Sequence, residues 1–152
     1  MADEVEVRQV PAQLALVVHT SATPETIGAR MGEAFGVLMA HAGATGATFA
    51  GPPFGVYPEM PEGEFAFSVC MPVAPGATAG GGVELEEVPA VEAASLVHRG
   101  PYTGVGETWG RLMAWPPAHG RVPGGPAREV YLNDPSVAAP DELLTELLLP
   151  LA

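Results

Sequence analysis

Residues 5–12, with the sequence VEVRQVPA, recur as residues 83–90, with the sequence VELEEVPA. Each copy leads through an apolar segment into a stretch of helical character, GEAFGVLMA at residues 32–40 and GETWGRLMA at residues 106–114. Two units of this length would bury too little core to be stable separately. The repeat therefore predicts one domain, residues 1–152, with internal pseudo-twofold symmetry.

The first repeat is expected to span about residues 4–74 and the second about residues 83–152, joined by a Gly- and Ala-rich linker at residues 75–82. Each repeat has the pattern strand, strand, helix, strand, strand. This order predicts the α+β class, with a mostly antiparallel sheet and both helices on one face. A central groove is expected where the halves meet.

Proline and glycine mark the expected ends of the helices. Thr23 followed by proline and glutamate predicts the start of the first helix, and Gly43 predicts its end. The prolines at residues 116–117 predict that the second helix ends around Trp115. Turns are expected at residues 58–63 and 133–135.

Charge and composition exclude several classes of function. Eighteen acidic residues against six basic ones give a formal net charge of −12, the opposite of the field that direct nucleic-acid binding needs. No apolar run approaches the roughly 20 residues of a membrane helix. The acidic start and the single cysteine, Cys70, favour the cytoplasm.

Glu146 is the most unusual acid in the sequence because the rest of its strand, residues 143–149, is almost wholly apolar. Such a carboxylate either faces solvent or is buried with a partner, and the pattern alone leaves both open. Strand alternation places Glu146 on the same face as Leu144 and Leu148. The equivalent position in the first repeat is Ser68, so only one half is expected to supply this acid.

The histidines do not indicate a metal site. His19 and His98 are expected to end equivalent strands, a consequence of the repeat alone. None of the four histidines has a close histidine, cysteine or aspartate at metal-binding spacing, so no metal and no haem or other cofactor is expected.

Several motifs of the second repeat resemble those of the GyrI-like small-molecule-binding domains, which also serve as effector-binding modules of AraC-type and MerR-type regulators. The motifs are HRGPY at residues 98–102, residues 109–115, GP at 125–126, REVYLNDP at 128–135, and PDEL at 140–143 followed by Thr145, Glu146 and Pro150. The resemblance covers almost the whole chain and implies a free-standing domain whose groove binds hydrophobic, often cationic aromatic compounds.

The resemblance implies that aromatic side chains and a buried glutamate line this groove. Glu146 is accordingly expected to attract a ligand cation, and tyrosine and tryptophan suit the stacking of flat ligands. Core packing is the alternative for each apolar member. The expected ligand-binding residues are Glu146, Tyr131, Tyr57, Tyr102, Trp109, Trp115, Phe67, Met71 and Met113.

Three roles stay open at this point. The first is sequestration or sensing of a hydrophobic, cationic aromatic molecule. The second is hydrolysis of cyclopropane-bearing alkylating toxins, which some members of the family perform, with Glu146 as the catalytic general base. The third is inhibition of gyrase by protein interaction. Homodimerisation through an exposed strand edge also stays open.

Overall fold

The structure, a computed structural model, describes residues 4–58, 62–133 and 137–152. The order strand, strand, helix, strand, strand occurs twice, so the predicted α+β class and repeat pattern are confirmed. The elements are β1 (Glu6–Val10), β2 (Gln13–Ala22), α1 (Ile27–Thr45), β3 (Phe54–Tyr57), β4 (Phe65–Pro72), β5 (Glu84–Val88), β6 (Val91–Arg99), α2 (Val105–Ala118), β7 (Ala127–Tyr131) and β8 (Leu144–Pro150), with short 3-10 turns at Tyr102–Gly104 and Pro140–Glu142.

The chain forms two compact units. The N-terminal unit comprises residues 12–89, and its strands lie in the order β3-β4-β2-β5. The C-terminal unit comprises residues 90–152 together with the segment before residue 12, and its strands lie in the order β1-β6-β8-β7. Within each unit the neighbouring strands pair antiparallel.

The first strand of each repeat pairs with a strand of the other repeat. β1 pairs with β6 from Glu6 opposite Ser95 to Val10 opposite Val91. β5 pairs with β2, with Gln13 opposite Val88. The units therefore divide at the Val-Pro-Ala sequences, after Pro11 and after Pro89, rather than at the predicted linker. The predicted turns at residues 58–63 and 133–135 include residues outside the described part of the chain.

The core of the C-terminal unit lies between its sheet and α2. Leu112 of α2 is fully buried against alternate residues of β6 and β8, namely Ala94, Leu96, Leu147 and Leu149. A smaller apolar cluster contains Val10, Ala93 and Leu148. Ala93 and Leu148 alternate along their strands with the residues that face α2. Because side chains alternate along a strand, β8 presents Leu147 and Leu149 to α2 and Leu148 to the other face.

The core of the N-terminal unit has the same construction. Ala34, Leu38 and Ala42 follow one another at helical spacing along α1 and are buried. They pack with buried side chains of β2 and β4, which are Leu16, Ala22, Phe65, Phe67, Val69 and Met71.

Both helices have ends that differ from the sequence prediction. α1 begins at Ile27, one turn late, because the Thr23 backbone N–H bonds the Thr26 hydroxyl at 2.8 Å and residues 23–26 form a separate turn. It passes Gly43 and stops at Gly46, whose φ of 72° is left-handed. α2 continues to Ala118 with both prolines in its last turn, and the Pro116 carbonyl accepts the His119 N–H at 3.0 Å. Neither helix, in the part of the chain that the structure describes, is long and apolar enough to cross a membrane.

We call the pairing of each repeat's first strand with a strand of the other repeat the strand exchange. It predicts that two fragments of equal length differ in stability. Residues 12–89 retain β5 beside β2, whereas residues 5–82 lack β5 and carry β1 without β6. We expect fragment 12–89 to retain more β-sheet signal by circular dichroism and to resist proteolysis longer than fragment 5–82, because the second fragment leaves one edge of β2 and its apolar side chains uncovered. Both fragments should be less stable than the whole chain. Equal signal and equal resistance in the two fragments would contradict the exchange.

Candidate functional site

Four residues of the C-terminal unit form a cluster of aromatic side chains around a carboxylate. The indole Nε1–H of Trp109 donates to Glu129 Oε2 at 2.7 Å, and the Tyr131 hydroxyl donates to Glu129 Oε1 at 3.3 Å. The rings of Tyr102 and Tyr131 meet edge to face, with centroids 5.9 Å apart. We call these residues, Tyr102, Trp109, Glu129 and Tyr131, the Glu129 site.

The register of β7 against β8 sets the direction of the acid and the tyrosine. Glu129 lies opposite Leu147 and Tyr131 lies opposite Thr145, so both share the face of β8 that packs against α2. Trp109 extends from α2 to the same carboxylate. The Thr145 hydroxyl next to Tyr131 is fully buried and has no hydrogen-bond partner among the described residues. Glu129 itself is half-buried, so Thr145 supplies a fully buried polar group beside it.

A buried histidine fixes the segment that leads to Tyr102. His98 Nε2 lies 2.9 Å from the Pro101 carbonyl, and Nδ1 lies 2.6 Å from the Thr108 hydroxyl. A carbonyl only accepts, so Nε2 carries the proton of its bond to Pro101. This pair of bonds joins the end of β6 to α2 and holds the turn that begins at Tyr102.

Glu146 lies on the other face of β8, where its carboxylate accepts hydrogen bonds from Arg8 and Ser95. Arg8 donates to both carboxylate oxygens at 2.8 Å, and the Ser95 hydroxyl donates to Oε2 at 2.7 Å. The Glu146 side chain is 13% exposed and that of Arg8 is 40% exposed. The hydrogen bonds with Glu146 raise the pKa of Arg8 above its ordinary value. The predicted buried acid therefore has a charged partner from β1.

The aromatic residues predicted for the first repeat lie in the N-terminal unit. Tyr57 is half-buried and stacks on Phe67 at a centroid distance of 5.8 Å. Phe67 and Met71 are core residues beneath α1, with exposures of 1% and 5%. For these two, the structure shows the core packing that the sequence analysis gave as the alternative.

The remaining two predicted residues lie farther along α2 than Trp109. Trp115 packs beside the core of the C-terminal unit and stacks on His119 with ring centroids 4.2 Å apart. Met113 is 42% exposed, so it lies on the outer side of the helix.

A cavity of about 530 Å³ lies at the start of α2. The aromatic residues of the Glu129 site do not line it. It is lined by the end of β6 and the first turns of α2, including Arg99, Glu107 and Arg111. None of the predicted ligand-binding residues lines it. Its exposed side chains of both signs do not define a ligand class.

The predicted equivalence of His19 and His98 is wrong by one residue. His19 lies opposite Ser68, whereas Val97 lies opposite Glu146, so Val97 is the counterpart of His19. The one-residue difference turns the two rings to opposite faces. His98 is buried towards α2, and His19 lies on the face of β2 away from α1.

Sequence reasoning missed Glu129, although the sequence carries a sign of it. Tyr131 was predicted to face the ligand, and Glu129 is two residues before it in the same strand. A period of two places both side chains on one face. The first repeat has Gly55 and Tyr57 at the matching positions, so the acid is present in one repeat only.

The comparisons agree on family and fold. The family model of the GyrI-like small molecule binding domain matches residues 3–152. No curated protein sequence matches the chain.

Three solved structures show the same fold at low sequence identity. The C-terminal domain of EcmrR is 19% identical, with a TM-score of 0.91 over 100% of this chain and 99% of that chain. A hydrolase from Listeria innocua is 17% identical, with a TM-score of 0.74 over 98% and 92%. SAV2435, solved with bound tetraphenylphosphonium, is 12% identical, with a TM-score of 0.70 over 98% and 94%.

The geometry predicts that the pair formed by Arg8 and Glu146 stabilises the protein. We expect Arg8→Gln to lower the free energy of unfolding by about 1–3 kcal/mol, because it leaves a largely buried carboxylate without its cation. Urea unfolding measures the change. Arg30→Gln is the matched control, since Arg30 and Glu33 form an exposed pair at 3.5 Å and its loss is worth about 0.5 kcal/mol or less. Equal effects of the two substitutions would contradict the structural role of Arg8.

Proposed function

The chain belongs to the GyrI-like small-molecule-binding domain family, and we propose that it binds hydrophobic, cationic aromatic molecules at the Glu129 site. The proposal covers sequestration or sensing in the cytoplasm, where the single cysteine, which is buried and cannot form an intramolecular disulfide, is compatible with a reducing environment.

One observation carries the proposal: the Glu129 carboxylate accepts hydrogen bonds from the aromatic side chains of Trp109 and Tyr131. The indole and the phenol are neutral donors, so they orient the carboxylate without adding a charge. A ring face attracts a cation within about 6 Å of its centroid. An aromatic cation bound at the Glu129 site would contact the carboxylate and the neighbouring rings together.

The proposal assigns different roles to the two acids. Arg8 already offsets the charge of Glu146, and Ser95 occupies one of its oxygens. A ligand cation at Glu146 would have to compete with a guanidinium that forms two parallel bonds, the strongest geometry for a carboxylate. Glu129 is the proposed ligand acid because it lies among aromatic rings, and Glu146 is proposed to stabilise the sheet.

The structural relatives support this ligand class. SAV2435 was solved with tetraphenylphosphonium, a cation whose charge is surrounded by four phenyl rings. Such a molecule combines a diffuse positive charge with a large apolar surface. Both features suit a carboxylate bordered by tyrosine and tryptophan.

Tetraphenylphosphonium is the probe for the main test. We expect saturable quenching of tryptophan fluorescence in the unaltered protein. We expect Glu129→Gln to weaken binding by about 10- to 100-fold, the range for loss of one charge-assisted contact, as measured by isothermal titration calorimetry. Triphenylphosphine oxide, which is neutral, should lose much less affinity on the same substitution.

Glu146→Gln is the matched control, because it removes an acid from the opposite face of β8. We expect it to change the affinity for tetraphenylphosphonium less than about threefold while the fold is retained. A large loss with Glu146→Gln and none with Glu129→Gln would overturn the assignment. That result would identify Glu146, the acid predicted from the sequence, as the ligand-binding carboxylate.

A second candidate function is hydrolysis of a strained, electrophilic ring. The observation that favours it is the fixed position of the Glu129 carboxylate, since a general base needs such positioning. The fold is also that of a Listeria innocua hydrolase. Glu129 would remove a proton from water as the water oxygen attacks a cyclopropane carbon, and the broken C–C bond would transfer its electron pair to the conjugated carbonyl of the toxin.

Turnover separates this function from binding. With a cyclopropane-bearing alkylator in large excess, hydrolysis predicts many equivalents of ring-opened product by mass spectrometry, and Glu129→Gln should abolish them. Glu146→Gln should leave turnover in place. Protection limited to one equivalent of the toxin would eliminate the hydrolase and leave the binding function.

A further inference from the structure

Three metal-ligating side chains converge on the N-terminal unit, on the face away from α1. His19 Nε2 lies 3.0 Å from Glu84 Oε2 and 2.5 Å from Glu86 Oε2. The three ligand atoms all lie within 4.8 Å of one another. His19 and Glu86 are 67 residues apart in sequence, so no local spacing indicated the cluster.

The pairing of β2 with β5 brings these residues together. Glu84 and Glu86 are two residues apart, so they share a face, and Leu85 between them packs towards the core of the unit. Val17 lies opposite Glu84, and His19 follows two residues later on the same side of β2. A nitrogen and two carboxylates thus lie on neighbouring strands at the exposed surface.

Ser68 fixes the orientation of the histidine ring. Its hydroxyl lies 2.6 Å from Nδ1 of His19. Ser68 of β4 is directly opposite His19 in the pairing of β4 with β2. Nε2 points at the two carboxylates, and a metal ion bound there would replace the proton of these hydrogen bonds. A histidine that binds a metal has this arrangement, with one nitrogen anchored and the other free to coordinate.

The equivalent positions in the C-terminal unit hold the pair of Arg8 and Glu146, which contains an arginine that the cluster of His19, Glu84 and Glu86 lacks. The position of Glu86 corresponds to that of Arg8, and the position of Ser68 corresponds to that of Glu146. In the C-terminal unit an arginine from the exchanged strand offsets the acid. In the N-terminal unit the exchanged strand supplies the acids, and the sequence of residues 12–89 contains only one arginine and no lysine.

That arginine does not offset the cluster. It is Arg30, which pairs with Glu33 of the same helix. Glu84 and Glu86 therefore have His19 as their only basic partner among the described residues. Two carboxylates around an imidazole carry an excess negative charge that a divalent cation would neutralise.

We propose that His19, Glu84 and Glu86 bind one divalent transition-metal ion of the zinc class. One imidazole nitrogen and two carboxylate oxygens are a frequent ligand type for such ions, and they leave a coordination position for water. Tetrahedral bonds of about 2.0–2.2 Å separate ligand atoms by about 3.3 Å. The side chains are exposed, so small rotations reach this spacing. Mg²⁺ and Ca²⁺ prefer all-oxygen sites and bind less tightly.

Calorimetric titration of the chelator-treated full chain with ZnCl₂ tests the site. We expect one equivalent to bind with a Kd below about 100 μM. His19→Ala and Glu86→Gln should each weaken binding by at least about tenfold. His41→Ala is the matched control, because the His41 ring bonds the Thr78 carbonyl and takes no part in the cluster of His19, Glu84 and Glu86, so it should leave the affinity unchanged.

Two further readings make the result decisive. Zn²⁺ should raise the thermal unfolding midpoint of the unaltered protein and of His41→Ala, but not of His19→Ala. Co²⁺ should produce a visible absorption band that His19→Ala removes. Absence of a bound equivalent, or equal Zn²⁺ affinity in His19→Ala and His41→Ala, would overturn the proposal. Tetraphenylphosphonium binding is independent of this site, and the His19→Ala variant should retain it.

Discussion

The alternation of side chains along β7 and β8 determines the surroundings of each acid in the C-terminal unit. Leu147 and Leu149 are fixed by their burial against α2, and the neighbouring strand must follow the same parity. Glu129 is thereby held on the helix side, where Trp109 and Tyr131 reach it. Glu146 is held on the other side, where Arg8 reaches it. A slip of one residue would exchange these environments and would also expose the apolar residues, which makes the register energetically specified.

The exchange of first strands extends this constraint to the whole chain. Without β1 in the C-terminal unit, Glu146 would be a largely buried carboxylate with no arginine. Without β5 in the N-terminal unit, His19 would have no acidic neighbours from that strand. The same exchange thus produces a closed charge pair in one unit and an acidic cluster in the other. The repeats share a backbone plan while their polar side chains have diverged in charge.

Much of the fold was predictable because it depends on short-range patterns. The repeat and the two strand–strand–helix–strand–strand orders follow from spacing in the sequence. The exchange was not predictable, because residues 5–12 and 83–90 share the apolar pattern and the Val-Pro-Ala end, and either could pair with β2 or β6. The end of α2 differs from the prediction because the helix accommodates both prolines in its last turn.

The site was predictable in its aromatic part and not in its acid. Tyr131, Tyr102 and Trp109 were recognised by residue type and by resemblance, and the structure brings these three together. Glu146 stood out because its neighbours are apolar, but its partner Arg8 lies 138 residues away and no local pattern links them. Glu129 follows Arg128 in the sequence, and two adjacent charged residues indicate a strand at the protein surface. Its position beside the aromatic side chains was therefore not expected. Arg128 is in fact buried, with an exposure of 5%.

The central claim is that Glu129, and not Glu146, receives the ligand, and the protein contains its own reporters for both. Trp109 donates its indole N–H to Glu129, Arg8 donates its Nε–H to Glu146, and Trp115 stacks on His119 near the end of α2. In a ¹H–¹⁵N NMR titration with tetraphenylphosphonium, we expect the indole signal of Trp109 to shift saturably while those of Trp115 and Arg8 Nε stay in place. A shift of the Arg8 Nε signal with no change at Trp109 would contradict it.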